Sequence, residues 1–99
     1  MSRQVLFRPK AEADLNDIWA YTVSEWSRDQ AIAYLRGLDA VITLLCAFPG
    51  MARERPEFSP PVRLYPYRSH IVVYLAHDES LYVIRLLHAK SDWQSLLGE

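Results

Sequence analysis

The chain has 99 residues, 51% hydrophobic and 12% aromatic, with a formal net charge of −1. This length allows one domain with one core, burying roughly two-thirds of the unfolded chain's surface, and the apolar content excludes a disordered chain. The near-zero charge argues against a general nucleic-acid binder, which carries a basic domain or stripe; one local basic stretch, residues 60–76, holds Arg63, Arg68 and His70 and no acid.

Cys46 is the single cysteine. Without an intramolecular partner it points to a reducing compartment, and within the run VITLLCAF it reads as a small core residue, since apolar burial raises a thiol pKa and disfavours a nucleophile. The start, MSRQVLF, lacks the apolar stretch of a signal peptide, and no run approaches the ~18 apolar residues of a membrane helix. The expectation is a cytoplasmic protein without membrane contact.

Residues 3–7, RQVLF, read as a short strand, and Pro9 suits the first turn of a helix because its missing N–H would be unpaired there. From residue 11 to 26, Leu15, Ile18, Trp19, Thr22 and Trp26 recur at helical spacing, with Glu12, Asp14, Asn16 and Asp17 mostly on the other side. Ser27 and Gln30 have the spacing of a capping box, so a second helix is expected to start there after a tight corner. Its apolar face carries Ala31, Tyr34, Leu35, Leu38, Val41, Ile42 and Leu45, and Pro49-Gly50 stops it near Ala47. Gly37 inside this helix costs about 1 kcal/mol against Ala, a penalty that close packing of another backbone would explain.

The segment MARERPEFSPP reads as a solvated connector. Three β-rich runs follow, VRLYPY, HIVVYLA and LYVIRLLH, with connections short enough for an antiparallel meander. In the first, Arg63, Tyr65 and Tyr67 share one face and Val62 and Leu64 the other, while Pro66 suggests an edge or a bulge. The middle run is apolar on both faces and should be central. The tail SDWQSLLGE is expected to form a helical turn or more, with Ser91 or Asp92 as cap. The predicted fold is α+β: an N-terminal strand, a two-helix antiparallel hairpin, a three-stranded antiparallel meander packed on it, and a short helical tail, all in a single domain over residues 1–99.

The opening FRPKAEADLNDIWAYTVSEWS, the Pro-Gly that ends the hairpin and the closing VRLYPYRSHIVVYLAHDESLYVIRLLHAKSDW together resemble the ParE group of the ParE/RelE toxin superfamily over almost the whole chain. The resemblance implies the toxic half of a type II toxin–antitoxin system with this fold. Its implied partner is a ParD-like antitoxin whose C-terminal segment folds onto the toxin as a hetero-oligomer. It also implies one of two activities: ParE-group toxins poison DNA gyrase, whereas the RelE group cuts messenger RNA on the ribosome.

Metal-independent RNA cleavage needs a base for the ribose 2′-hydroxyl, an acid for the leaving oxygen and cations around the phosphate. His88, Arg63, Arg68 and Lys90 are the residues that would serve it. In a regular last strand, however, Leu81, Val83, Arg85 and Leu87 point one way and Tyr82, Ile84, Leu86 and His88 the other, which separates Arg85 from His88. Arg85 is expected to pair with an acid or with tail carbonyls, because an unpaired buried charge is costly. His88 is expected to hydrogen-bond the tail or the hairpin, with a general-base role as the alternative. No metal-ligand spacing and no glycine-rich phosphate loop occurs, so neither cofactor nor metal is expected.

Binding is therefore the expected mode, with no enzymatic chemistry and no sequence-specific contact to nucleic acid; the alternatives are a RelE-like ribosome-dependent endoribonuclease and a non-toxic relic that only binds the antitoxin. Arg63, Arg68, Arg85, His88 and Lys90 are assigned to toxicity and gyrase contact. The hairpin aromatics Trp19, Tyr21, Trp26 and Tyr34 are assigned to the antitoxin, Tyr21 and Trp26 being the pair expected to be exposed near the hairpin tip while Trp19 contributes to the core.

Overall fold

The computed structural model describes residues 3–98. A short strand β1 (Gln4–Phe7) leads through Arg8 directly into helix α1 (Pro9–Glu25), and helix α2 (Arg28–Ala47) returns antiparallel to it. A single 3₁₀ turn (Pro49–Met51) precedes strands β2 (Glu54–Arg55), β3 (Val62–Tyr67), β4 (His70–Ala76) and β5 (Ser80–His88), and helix α3 (Trp93–Gly98) closes the described chain. The expected order of elements is present, and the corner between the helices is made as anticipated: the Gln30 N–H donates to Ser27 Oγ at 3.0 Å.

The meander is part of a larger sheet. Among the described residues five strands stand in the order β1-β5-β4-β3-β2, with β1 parallel to β5 and the other pairs antiparallel. β4 is the central strand, as its two apolar faces require. The segment read as a plain connector contributes Glu54 and Arg55 as a two-residue edge strand opposite Arg63 and Val62. Because β2 is so short, the outer edge of β3 beyond Arg63 is uncovered, which accommodates Pro66 without loss of a ladder bond.

Two apolar layers sandwich the sheet. On the hairpin side, Ala11 and Ile18 of α1 and Leu38, Ile42, Leu45 and Cys46 of α2 meet Val72, Tyr74, Leu81, Val83 and Leu86 of the central strands. On the other side Val62, Val73 and Leu87 are covered by Phe58, Trp93 and Leu97, so the helical tail serves as a lid on the second face. α2 is, by length and composition, apolar enough to cross a membrane, contrary to the expectation above; here its buried stripe is the core helix of this layer. Gly37 is explained by a side chain and not by a backbone: a Cβ there would overlap Tyr67 Oη, whose hydroxyl donates to the Tyr34 carbonyl at 2.9 Å.

The last strand is not regular. Val73 lies opposite Arg85 but Tyr74 lies opposite Val83, leaving Ile84 as the extra residue of a bulge. The bulge shifts the alternation by one residue. Leu86 therefore joins Leu81 and Val83 in the layer under the hairpin, while Ile84 and Leu87 pack on the tail side. The period-two assignment, which grouped Leu87 with Leu81 and Val83, fails at this point because an apolar run carries no local mark of an inserted residue.

Candidate functional site

The bulge has a chemical partner. β1 pairs with β5 only as far as Val83, and the Arg8 N–H closes that ladder on the Val83 carbonyl at 3.0 Å. Beyond it the edge of β5 is occupied by the first turns of α1. Asp14 there accepts from Arg85 Nε at 2.7 Å and Nη2 at 3.0 Å, and from the Leu86 N–H at 2.9 Å. One carboxylate thus replaces the missing strand and neutralises the arginine in a bidentate pair, both side chains being less than one-fifth exposed. Arg85 is paired with an acid, as its strand position required. The acid comes from helix α1, whose polar residues were read as solvent-facing.

Asp14 also lines an open cleft of about 910 Å³ between the hairpin tip and the end of the sheet. Tyr21, Trp26 and Tyr34 come from the helices, Arg68 and Ser69 from the β3–β4 turn, and His70 and His88 from the facing ends of β4 and β5. Arg68 holds a left-handed backbone conformation, φ 50°, in this two-residue turn. Its guanidinium lies 5.8 Å from the centre of the Tyr67 ring, within cation–π range.

His70 and His88 are directly opposite each other, with ring centres 5.3 Å apart. Tyr34 Oη lies 2.6 Å from His70 Nδ1, and the Lys90 N–H donates to His88 Nδ1 at 3.1 Å. In the tautomer with its proton on Nε2, His70 accepts the Tyr34 hydroxyl. Burial lowers the His70 pKa, the neighbouring His88 lowers it further, and Asp14 pulls the other way. Burial likewise raises the Tyr34 hydroxyl, so both members of the pair are neutral at pH 7.

The cleft brings together residues that the sequence placed in two separate groups: Arg68 and His88 from one, Tyr21, Trp26 and Tyr34 from the other. Tyr21 and Trp26 are 63% and 69% exposed. Trp19 is half-buried on α1. Arg63 lies elsewhere: it is opposite Tyr74, four residues before the end of β3 and so about 13 Å from it, and its Nη1 donates to the Ala52 carbonyl at 2.6 Å. Lys90 is exposed just past β5 and contributes a backbone N–H to the site. His70 and Asp14 were missed as site residues. Asp14 had a legible signal, because it falls three residues after Ala11 and four before Ile18, in the stripe that faces the sheet.

Residues 5–93 match the family model described as the ParE toxin of the type II toxin–antitoxin system parDE. The chain belongs to the ParE toxin family. Toxin ParE1 of Mycobacterium tuberculosis is 37% identical over 93 residues, covering 93% of this chain and 95% of the relative. Toxin ParE1 of Caulobacter vibrioides is 34% identical over 89 residues, covering 90% and 92%. Toxin ParE of Escherichia coli is 32% identical over 91 residues, covering 91% and 88%. The fold is shared with a solved structure described as a chromosomal ParDE toxin–antitoxin system from P. aeruginosa, with a TM-score of 0.75 at 16% identity over 90% of this chain and 98% of that one. The protein is thus a ParE-type toxin of a type II toxin–antitoxin system.

Proposed function

We propose that this ParE-family toxin inhibits DNA gyrase by binding it, without chemistry of its own, and that a ParD-like antitoxin silences it by seating a C-terminal segment in the cleft at the hairpin tip. The observation that carries the non-enzymatic reading is the engagement of the cations. Arg85 is bound by Asp14, Arg63 by the Ala52 carbonyl on another part of the sheet, and Lys90 lies outside the cleft, so among the described residues no cation cluster surrounds a single phosphate-sized position. The antitoxin reading is supported by two largely exposed aromatics on one wall of an apolar groove, the arrangement of anchor positions for a helix in a groove.

The test is a supercoiling assay with purified gyrase and relaxed plasmid. Inhibition at micromolar toxin, relieved by stoichiometric antitoxin, is the expected result, and unaltered supercoiling removes the gyrase reading. One observation favours a second activity, ribosome-dependent RNA cleavage in the manner of the RelE group: the cleft does place His88, His70, Tyr34 and Arg68 side by side. Primer extension on messenger RNA after toxin induction distinguishes the two, since cleavage would leave new in-frame ends.

A further inference from the structure

The floor of the cleft carries a polar arrangement that the docking of an apolar helix face does not use. His88 accepts a hydrogen bond at Nδ1 from the Lys90 N–H, and His70 Nδ1 lies 2.6 Å from the Tyr34 hydroxyl, which donates to it in the tautomer that carries the His70 proton on Nε2. In their neutral forms each then carries its proton on Nε2, a donor still available to an occupant of the cleft. The rings stand 5.3 Å apart at 75° to each other, close enough for one carboxylate to contact both.

The surrounding charges decide the chemistry of that occupant. From α1, Asp14 and Asp17 face the pair, but Asp14 is neutralised by Arg85. From α2 comes Tyr34, held neutral by burial. From the β3–β4 side come Tyr67, packed edge-on against Tyr34, and Arg68, and past β5 the Lys90 side chain is exposed. With both histidines neutral the lining is close to balanced, Asp17 against Arg68. Of the residue types in this lining, histidine is the one whose ordinary charge change falls in the physiological pH range.

We propose that His70 and His88 form a paired-histidine site for a single acidic side chain of the antitoxin segment, and that its binding is linked to proton uptake. The inference rests on the reading that such a segment occupies the cleft. An anion placed against Nε2–H favours the charged imidazole, so binding raises proton affinity, and linkage then requires binding to tighten as pH falls. Tyr34 acts as a positioning residue here, fixing which nitrogen of His70 faces the cleft.

The experiment is calorimetric titration of the intact toxin with its purified antitoxin at pH 7.5 and pH 6.0, each in two buffers of different ionisation enthalpy. Binding is expected to tighten about three- to tenfold at the lower pH with net proton uptake. His88→Gln, at an exposed position, should abolish most of that pH ratio. Arg68→Gln should weaken binding at both pH values while preserving the ratio, because arginine does not titrate there. Tight binding with no proton uptake overturns this inference and leaves the antitoxin reading standing. No binding at either pH removes both.

Discussion

The two ends of the hairpin-on-sheet stack treat their polar groups in opposite ways. At the end where α2 runs out, the polar groups close on backbone carbonyls: Tyr74 Oη donates to Pro49 at 2.7 Å, Arg63 to Ala52 at 2.6 Å, and Arg3 to His77 at 2.5 Å and Cys46 at 3.1 Å. Those bonds stitch the loops to the sheet. At the hairpin tip, Arg68, His70 and His88 line an open cleft. The difference teaches where stability and recognition are separated in a chain too short to keep them in different domains. It also locates the hinge of the comparison at Asp14, which belongs to both, anchoring the sheet edge while forming one wall of the cleft.

Removing that anchor should have the largest effect. Asp14→Ala leaves a mostly buried guanidinium without its carboxylate and the Leu86 N–H without its acceptor, and should cost about 3 kcal/mol in urea unfolding. Asp14→Asn keeps an acceptor for Leu86 and should cost less. If Asp14→Ala proves neutral, the bulge is held by strand pairing alone and the coupling between the two ends disappears.

Gly37→Ala tests the hairpin-to-sheet seam between the ends. Forcing Tyr67 away breaks its bond to the Tyr34 carbonyl and outweighs the helical preference for Ala, giving a net loss of about 1 to 2 kcal/mol. In a Tyr67→Phe background the severe overlap with the hydroxyl is removed and only a 3.1 Å approach to the ring carbon remains, so the same change should become neutral to stabilising, by at most about 1 kcal/mol. This disappearance of the cost is the informative result; the same cost in both backgrounds would mean that the Tyr67 hydroxyl is not the obstacle.

These two sites also show how much was readable in advance. The capping pair Ser27 and Gln30, the stop at Ala47 and the alternation in β3 are local features, and local chemistry reproduces them closely. β1 pairs in parallel with a strand more than seventy residues away, and β2 is two residues long; neither leaves a periodicity that a window could detect. The bulge at Ile84 was hidden because Val, Ile and Leu fit either face of a sheet buried on both sides. The separation of Arg85 from His88 survives the bulge, because the inserted residue precedes Arg85 and the register from Arg85 to His88 is regular: Arg85 opposes Val73 of the tail-side layer, whereas His88 follows Leu86 of the hairpin side. What the alternation did not show is that Arg85 reaches Asp14 of α1 at the edge of β5.

The pH response of the isolated toxin is a smaller effect, with a sign opposite to that of binding. His70 is held below the ordinary histidine range, first by burial and then by His88. The unfolded chain therefore takes up its proton first, and the folded state loses stability as pH falls below about 6.5. Stability should be level above that pH and decline beneath it, and His70→Gln should flatten that part of the curve. A decline unchanged by the substitution would assign it to the carboxylates. An acidic antitoxin residue at the histidine pair would offset this loss, so the complex should be less acid-sensitive than the free toxin.

The smallest stability effects should belong to the pair of residues that separates the ends most cleanly. Trp26 at the tip and Phe48 at the far end are 69% and 62% exposed, so truncating either to Ala should change unfolding free energy by no more than about 0.5 kcal/mol. Exposure alone would make them equivalent. Trp26, however, lines the cleft with Tyr21 and Arg68, whereas Phe48 caps the end of α2 beside carbonyls already bonded to Tyr74 and Arg63. Trp26→Ala should therefore weaken antitoxin binding by about 2 kcal/mol, near thirtyfold, while Phe48→Ala leaves it unchanged. Equal losses would mean that the antitoxin wraps both ends, and a loss confined to Phe48→Ala would move the docking site to the end that the hydrogen bonds have closed.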